Sequence, residues 1–217
     1  MTMSKRLPAV GSREFRAFSV PDIRAEPEGG IIQGHAAVFD QRTNIAGLFE
    51  EVIERGAFDN TDFRDVVFTV NHNLQHIPLA RSRNNNANST LQLSVDDRGL
   101  FIRAILDLEN NNEAKALHSA VSRGDISGMS FIFIIRNAIW ERLDSELPLR
   151  RITDITRVYE VSAVSFPAYD GTDISARDQR ALESARAALE SARSELESSK
   201  REQLEMLRLR SQILAKG

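Results

Sequence analysis

The chain has 217 residues, 41% of them hydrophobic, and a formal net charge of −3 from 28 Lys+Arg against 31 Asp+Glu. At about 150 residues per domain this is one domain plus an appendage, and a core of roughly 140 residues buries most of its apolar surface without covalent staples. The lack of cysteine excludes a disulfide scaffold, a thiolate nucleophile and cysteine-ligated metal sites, and the small net charge exerts no global pull toward nucleic acid or an anionic membrane.

Aromatic residues are scarce, at 6%, and 11 of them are Phe, which argues against a base-stacking surface. No stretch approaches the roughly eighteen apolar residues of a membrane span. The basic start lacks the apolar run of about 7–15 residues that marks a secretory signal. The reading is a soluble, cytoplasmic chain.

Residues 1–29 carry Pro8, Pro21 and Pro27 and end in Gly29-Gly30, the pattern of a flexible N-terminal arm closed by a turn. Residues 30–175 read as a globular domain of short apolar runs separated by turn residues, a β-rich α+β pattern. Candidate strands are 31–39 and 65–70, then TLQLSV and LFIRAILDL, which Asp96-Asp97-Arg98-Gly99 splits as a hairpin. One helix follows: Asn111 or Asn112 caps it, Ala114, Leu117 and Val121 form its apolar face, and Gly124 stops it. Further strands are expected over 126–135 and 151–166.

Residues 176–217 form a helical tail. No Pro or Gly occurs between Gly171 and Gly217. Leu182, Leu189 and Leu196 recur every seven residues, with Ala185, Ala192 and Ser199 three later. That is the a/d seam of a coiled coil, made weak by its small residues. Leu207 and Leu214 resume it after an eleven-residue step, which unwinds a left-handed supercoil locally.

Without cysteine, a nucleophile must be Ser, Thr, Lys or a carboxylate, and any imidazole base comes from His35, His72, His76 or His118. His72 follows an apolar strand, where a rigid element opens into a loop. It is a candidate general base, or a polar loop residue with no role. His76, four residues on, makes a metal pair only on a helix, and Pro78 argues against one; no third ligand is apparent. His35 reads as structural and His118 as a helix-surface or packed residue.

In GDISGMSFIFII, strand parity puts Gly128, Ser130, Ile132 and Ile134 on one face. A buried Ser130 hydroxyl needs a partner, backbone or otherwise, and Gly128 leaves room for a substrate backbone. In RVYEVSAVSFPAY, parity groups Val158, Glu160, Ser162, Val164 and Phe166. Glu160 among apolar neighbours must be paired, either by orienting a histidine or by a salt bridge to Arg150, Arg151 or Arg157.

Together, GHAAVFD, EEVIERGAFDN, VNHN–IPLAR, ISGMSF and YEVSAVSFPAYDGT, in this order, resemble the prohead maturation proteases of tailed phages, the Hong Kong 97-type family. The resemblance covers roughly residues 30–175. It implies a fold shared with the herpesvirus assemblin proteases, a β-barrel surrounded by helices, here followed by the coiled-coil helix. It implies a serine endopeptidase in which Ser130 matches the nucleophile, His72 the general base and Glu160 the acidic partner, with Asp125 and Asp154 as nearby alternatives to Glu160. No metal or cofactor is implied. The implied partners are the major capsid protein and its scaffolding segment, with cleavage, self-cleavage included, inside the procapsid in the host cytoplasm. A homodimer is compatible with the assemblin relation. The sequence departs from the family where SFIFII stands for the commoner SFGF, placing a bulky Ile132 beside Ser130, and where His35 occupies a position that is often aromatic. A non-enzymatic capsid assembly factor, using the same domain as a packing module and the tail as scaffold contact, is the competing reading.

Overall fold

A computed structural model describes residues 6–8, 13–18, 23–165 and 176–214. In chain order its elements are β1 (Arg6–Pro8), β2 (Arg13–Phe18), β3 (Arg24–Ala25), β4 (Ile31–Val38), β5 (Thr43–Ile45), β6 (Phe49–Ile53), β7 (Val67–Val70), β8 (Ala80–Arg81), β9 (Leu91–Val95), β10 (Gly99–Ile105), α1 (Asn112–Arg123), β11 (Gly128–Glu141), β12 (Leu149–Val164) and α2 (Ala176–Leu214). No helix among the described residues is long and apolar enough to cross a membrane.

Local chemistry explains the best-read elements. Asn111 caps α1: its Oδ1 accepts from the N–H groups of Glu113 and Ala114, at 2.9 and 3.2 Å. Gly124 ends the helix in the left-handed region, at φ 80°, where glycine has no Cβ penalty. Ala114, Leu117 and Val121 are its buried face. Between β9 and β10, Asp96 Oδ1 accepts from the N–H groups of Arg98 and Gly99, an Asx turn that holds the hairpin closed.

A four-stranded sheet runs β3-β4-β10-β9, and an eight-stranded sheet is built on the long β11–β12 hairpin. Each hairpin strand carries two short strands in succession on its outer edge. β11 pairs β2 over residues 129–134 and β1 over 137–139. β12 pairs β6 over 149–152 and β7 over 160–163, both parallel. The larger sheet therefore forks instead of curling round to meet itself. Among the described residues neither sheet closes into a barrel, and the expectation of a β-barrel surrounded by helices is corrected to two open sheets. The strands β1 and β2 lie in the segment that reads as an arm, and both pair with β11.

The main core lies between the sheets and α1. Met129, Phe131, Phe133 and Ile135 of β11 point into it, with Val158, Val161 and Ala163 of β12, and Leu117 and Val121 of α1. Gly128, Ser130, Ile132 and Ile134 share the opposite face of β11, as the spacing predicts, and that face points away from this core. On β12 the simple parity fails. Ile132 pairs Glu160, but Phe133 pairs Val158, so an irregularity in the ladder skips Tyr159. One extra residue reverses the alternation. Val158 joins the core while Glu160 and Ser162 stay on the Ser130 side. The Phe166 end of the expected strand lies outside the described residues.

The tail forms the continuous helix α2. Its heptad seam lies against the chain's own sheet: Ala185 and Leu189 are buried with Ile45 and Phe49, flanked by Leu48, Trp140 and Leu143. Ala192 is also buried, and Leu182 and Leu196 are half-buried. Small residues at alternate seam positions let the helix approach the sheet, and burying Leu189 contributes about 1.5–3 kcal/mol. Arg193 donates to the carbonyl oxygens of Leu143 and Ser145 in the β11–β12 turn. Beyond residue 200 the helix is exposed throughout, including Leu204, Met206, Leu207, Leu209, Ile213 and Leu214.

Candidate active site

Sheet register assembles the site. β7, β12 and β11 lie side by side, so Thr69, Ser162 and Ser130 fall in one row across three strands. The next row holds Val67, Glu160 and Ile132. Regular alternation from Glu160 to Ser162 keeps both on the face of Ser130, away from the apolar core, and the irregularity at Tyr159 turns only Val158 inward.

His72 enters from the loop after β7. Asn71 and His72 both have left-handed backbones, at φ 50° and 56°. Asn and His both occur in this region more often than most residues, but two successive non-glycine residues there need support from their surroundings. Asn71 supplies some of it: its N–H donates to the Ala163 carbonyl at 2.9 Å. Its side chain exchanges two hydrogen bonds with Ser165, donating Nδ2–H to Oγ and accepting from the Ser165 N–H. The His72 N–H donates to Ser162 Oγ at 2.9 Å. The tight reversal turns the imidazole back over the sheet.

The imidazole bridges two buried side chains. Nδ1 lies 2.7 Å from Glu160 Oε2, and Nε2 lies 2.5 Å from Ser130 Oγ. Ser130, Glu160 and Ser162 are fully buried, and Thr69 nearly so. His72, with its side chain 14% exposed, is the part of the group in reach of solvent. Thr69 Oγ1 donates to Glu160 Oε1 and lies 3.1 Å from Ser162 Oγ. The arrangement has a hydroxyl, a ring nitrogen in reach of its proton, and a carboxylate on the other ring nitrogen. That is the geometry required to activate a hydroxyl as a nucleophile.

The other candidates lie elsewhere. Asp125 pairs with Arg123 and Asp154 with Arg136. Arg150, Arg151 and Arg157, considered as partners for Glu160, pair with Glu51, with Glu54 and Glu141, and with Asp62 respectively. His35 is buried with Nε2 3.0 Å from Asp96 Oδ2. His118 Nε2 donates to the Glu26 carbonyl at 2.9 Å. His76 faces Glu113 at the surface. Ile132 is 1% exposed and shares Ser130's face, so its bulk is packed beside the site. Thr69 escaped the sequence reading. The available signal was a lone hydroxyl in the apolar run VVFTV, which must find a partner once buried.

No curated protein and no solved structure matches the chain. The sequence profile described as Caudovirus prohead serine protease matches residues 19–186. That match begins just after β2, reaches into the first turns of α2 and takes in every strand that builds the site, so the chain belongs to the Caudovirus prohead serine proteases.

Proposed function

We propose that Ser130 is the nucleophile of this prohead protease, His72 its general base and Glu160 the carboxylate that orients the imidazole. The observation that carries this is the single imidazole bridging Glu160 at 2.7 Å and Ser130 at 2.5 Å. His72 Nε2 takes the Ser130 proton as Oγ attacks the substrate carbonyl carbon. The tetrahedral intermediate collapses, the C–N bond breaks, and the imidazolium gives its proton to the departing amine. Water, deprotonated by His72, then releases the acyl group from Ser130.

The substrate we propose is the scaffolding segment of the major capsid protein, cut inside the procapsid in the host cytoplasm, with the protease also trimming itself. Family membership supports a capsid protein as substrate. The exposed distal end of α2, from Leu204 to Leu214, would dock on a helical part of that scaffold as a short coiled coil. Replacing Leu207 and Leu214 by Glu is then expected to reduce incorporation into procapsids. Equal incorporation would remove the docking role.

The decisive experiment is co-expression with the cognate capsid protein, as wild type and as Ser130→Ala, read by intact mass. The proposal expects a shortened capsid protein and a trimmed protease from wild type alone. Full-length masses in both, with capsids assembled, would instead favour a non-enzymatic assembly factor.

A further inference from the structure

We propose that Thr69 and Ser162 are positioning residues: a one-way chain of hydroxyl hydrogen bonds through them holds Glu160 as a pure acceptor and His72 in its productive tautomer. This rests on the reading of Ser130, His72 and Glu160 given above.

The direction follows from counting protons. Each hydroxyl has one hydrogen to donate. Ser162 Oγ has two partners among the described residues, the His72 N–H and Thr69 Oγ1. The first is a donor, so Ser162 can only accept from it. Its own hydrogen must go to Thr69 Oγ1, or stay unpaired at a fully buried site, which is costly. Thr69 Oγ1 then accepts from Ser162, and its one hydrogen goes to Glu160 Oε1. The chain runs from His72 N–H to Ser162, to Thr69, to Glu160.

Glu160 then leads back to the residue the chain began from. Glu160 Oε1 already accepts from Thr69, and Oε2 faces His72 Nδ1 at 2.7 Å. A donated hydrogen bond stabilises the charged carboxylate, so the proton between Glu160 and His72 stays on Nδ1. The Nε2 lone pair is then the atom presented to the Ser130 hydroxyl at 2.5 Å. The same chain anchors the His72 backbone N–H, at the residue whose φ of 56° needs holding. One network thus sets both the place and the protonation pattern of the base.

The test uses the full chain with Thr69→Val, Thr69→Ser and Ser162→Ala, and Ser130→Ala as control. Two quantities are measured: the rate at which a fluorophosphonate modifies Ser130, located by peptide mass, and the low-field proton resonance of the His72 Nδ1–H. Thr69→Val keeps the shape and removes the relay. It is expected to slow modification about 10- to 100-fold and to shift or abolish the resonance. Thr69→Ser, which restores the hydroxyl, is expected to recover both. Ser162→Ala removes the donor to Thr69 and the acceptor for His72 N–H; it is expected to slow modification similarly and carries the test if Thr69→Val does not fold. Folded Thr69→Val or Ser162→Ala with wild-type rate and unmoved resonance would overturn the relay while leaving the triad standing. Wild type modified at a residue other than Ser130, or as fast in Ser130→Ala, would overturn the triad itself.

Discussion

Replacing Glu160 by Gln tests the site most sharply, because the amide fits the space and breaks the proton pattern either way round. In one orientation the Gln oxygen accepts from Thr69, and its NH2 group donates to His72 Nδ1, 2.7 Å away in wild type. The ring proton is then forced onto Nε2, which faces Ser130 with no lone pair to accept its hydrogen. In the other orientation the Gln oxygen faces His72, and the NH2 group meets Thr69 Oγ1. Two hydroxyl hydrogens, of Thr69 and Ser162, then share the single acceptor position left between them, and one is orphaned at a buried site. That orphan costs about 1–3 kcal/mol. The productive orientation is therefore populated only about one part in 5 to 150, and it still lacks the charge that stabilises the imidazolium. Catalysis in the wrong tautomer is depressed about 10^4-fold. The expected loss in kcat is thus about 10^2- to 10^4-fold. The assay is peptide cleavage alongside active-site modification, with circular dichroism and thermal unfolding to show that the fold is retained. A folded Glu160→Gln within about tenfold of wild type would refute the assignment of Glu160.

Three other outcomes follow from the packing and the charges. Trp140 is the single tryptophan and lies in the small cluster with Ala185 and Leu189; Leu189→Glu should lift α2 from the sheet and red-shift the Trp140 emission, and an unchanged spectrum would contradict the docked helix. A Cβ on Gly99 would sit 2.0 Å from the Ala37 carbonyl oxygen and 2.9 Å from Val38 Cα. Both belong to the buried backbone of β4 and cannot rotate away, so Gly99→Ala should cost about 3 kcal/mol in urea unfolding; a loss under about 0.5 kcal/mol would refute the close approach. Hydrogen bonds from Arg64 hold the Asp62 carboxyl at about 2, below its ordinary 3.8. A depressed carboxylate stabilises the fold above pH 3.8, and that contribution is lost as pH falls toward 2. Because Arg64 is 76% exposed, solvent screening keeps the contribution small; the stability gap between wild type and Asp62→Asn should close over that window, and a constant gap would show that the charge does not carry it.

Much of the site was legible because short-range chemistry marks it. A serine beside Gly128 in an apolar strand, a histidine just past a strand end and a carboxylate in an apolar run are each unusual in their local setting. The β11 parity that grouped Ser130 with Gly128, Ile132 and Ile134 depended only on alternation. Thr69 was overlooked because a threonine suits a strand, and its hydroxyl gains meaning only when β7 lies beside β12. The β12 parity misled at Val158, because an irregularity arises from how two strands are paired and leaves no mark in one strand alone.

The tail shows the same division. A seven-residue repeat of leucine with small residues between them specifies a helix with one apolar stripe. It does not say whether that stripe meets a second helix or the chain's own sheet. Ile45, Phe49 and Trp140, far away in sequence, decided that for the stretch from Leu182 to Leu196. The sequence by itself determined the family, the span and Gly124 stop of α1, the hairpin turn at Asp96 and the candidates Ser130 and His72, with Asp125 and Asp154 still open beside Glu160, because each depends on neighbours a few positions apart or on a motif. Tertiary structure alone decided the forked open sheets, the reversal at Tyr159 and the Ser162–Thr69–Glu160 chain. These depend on register between strands some 30 to 90 residues apart, and register is fixed by the joint burial of all the faces at once.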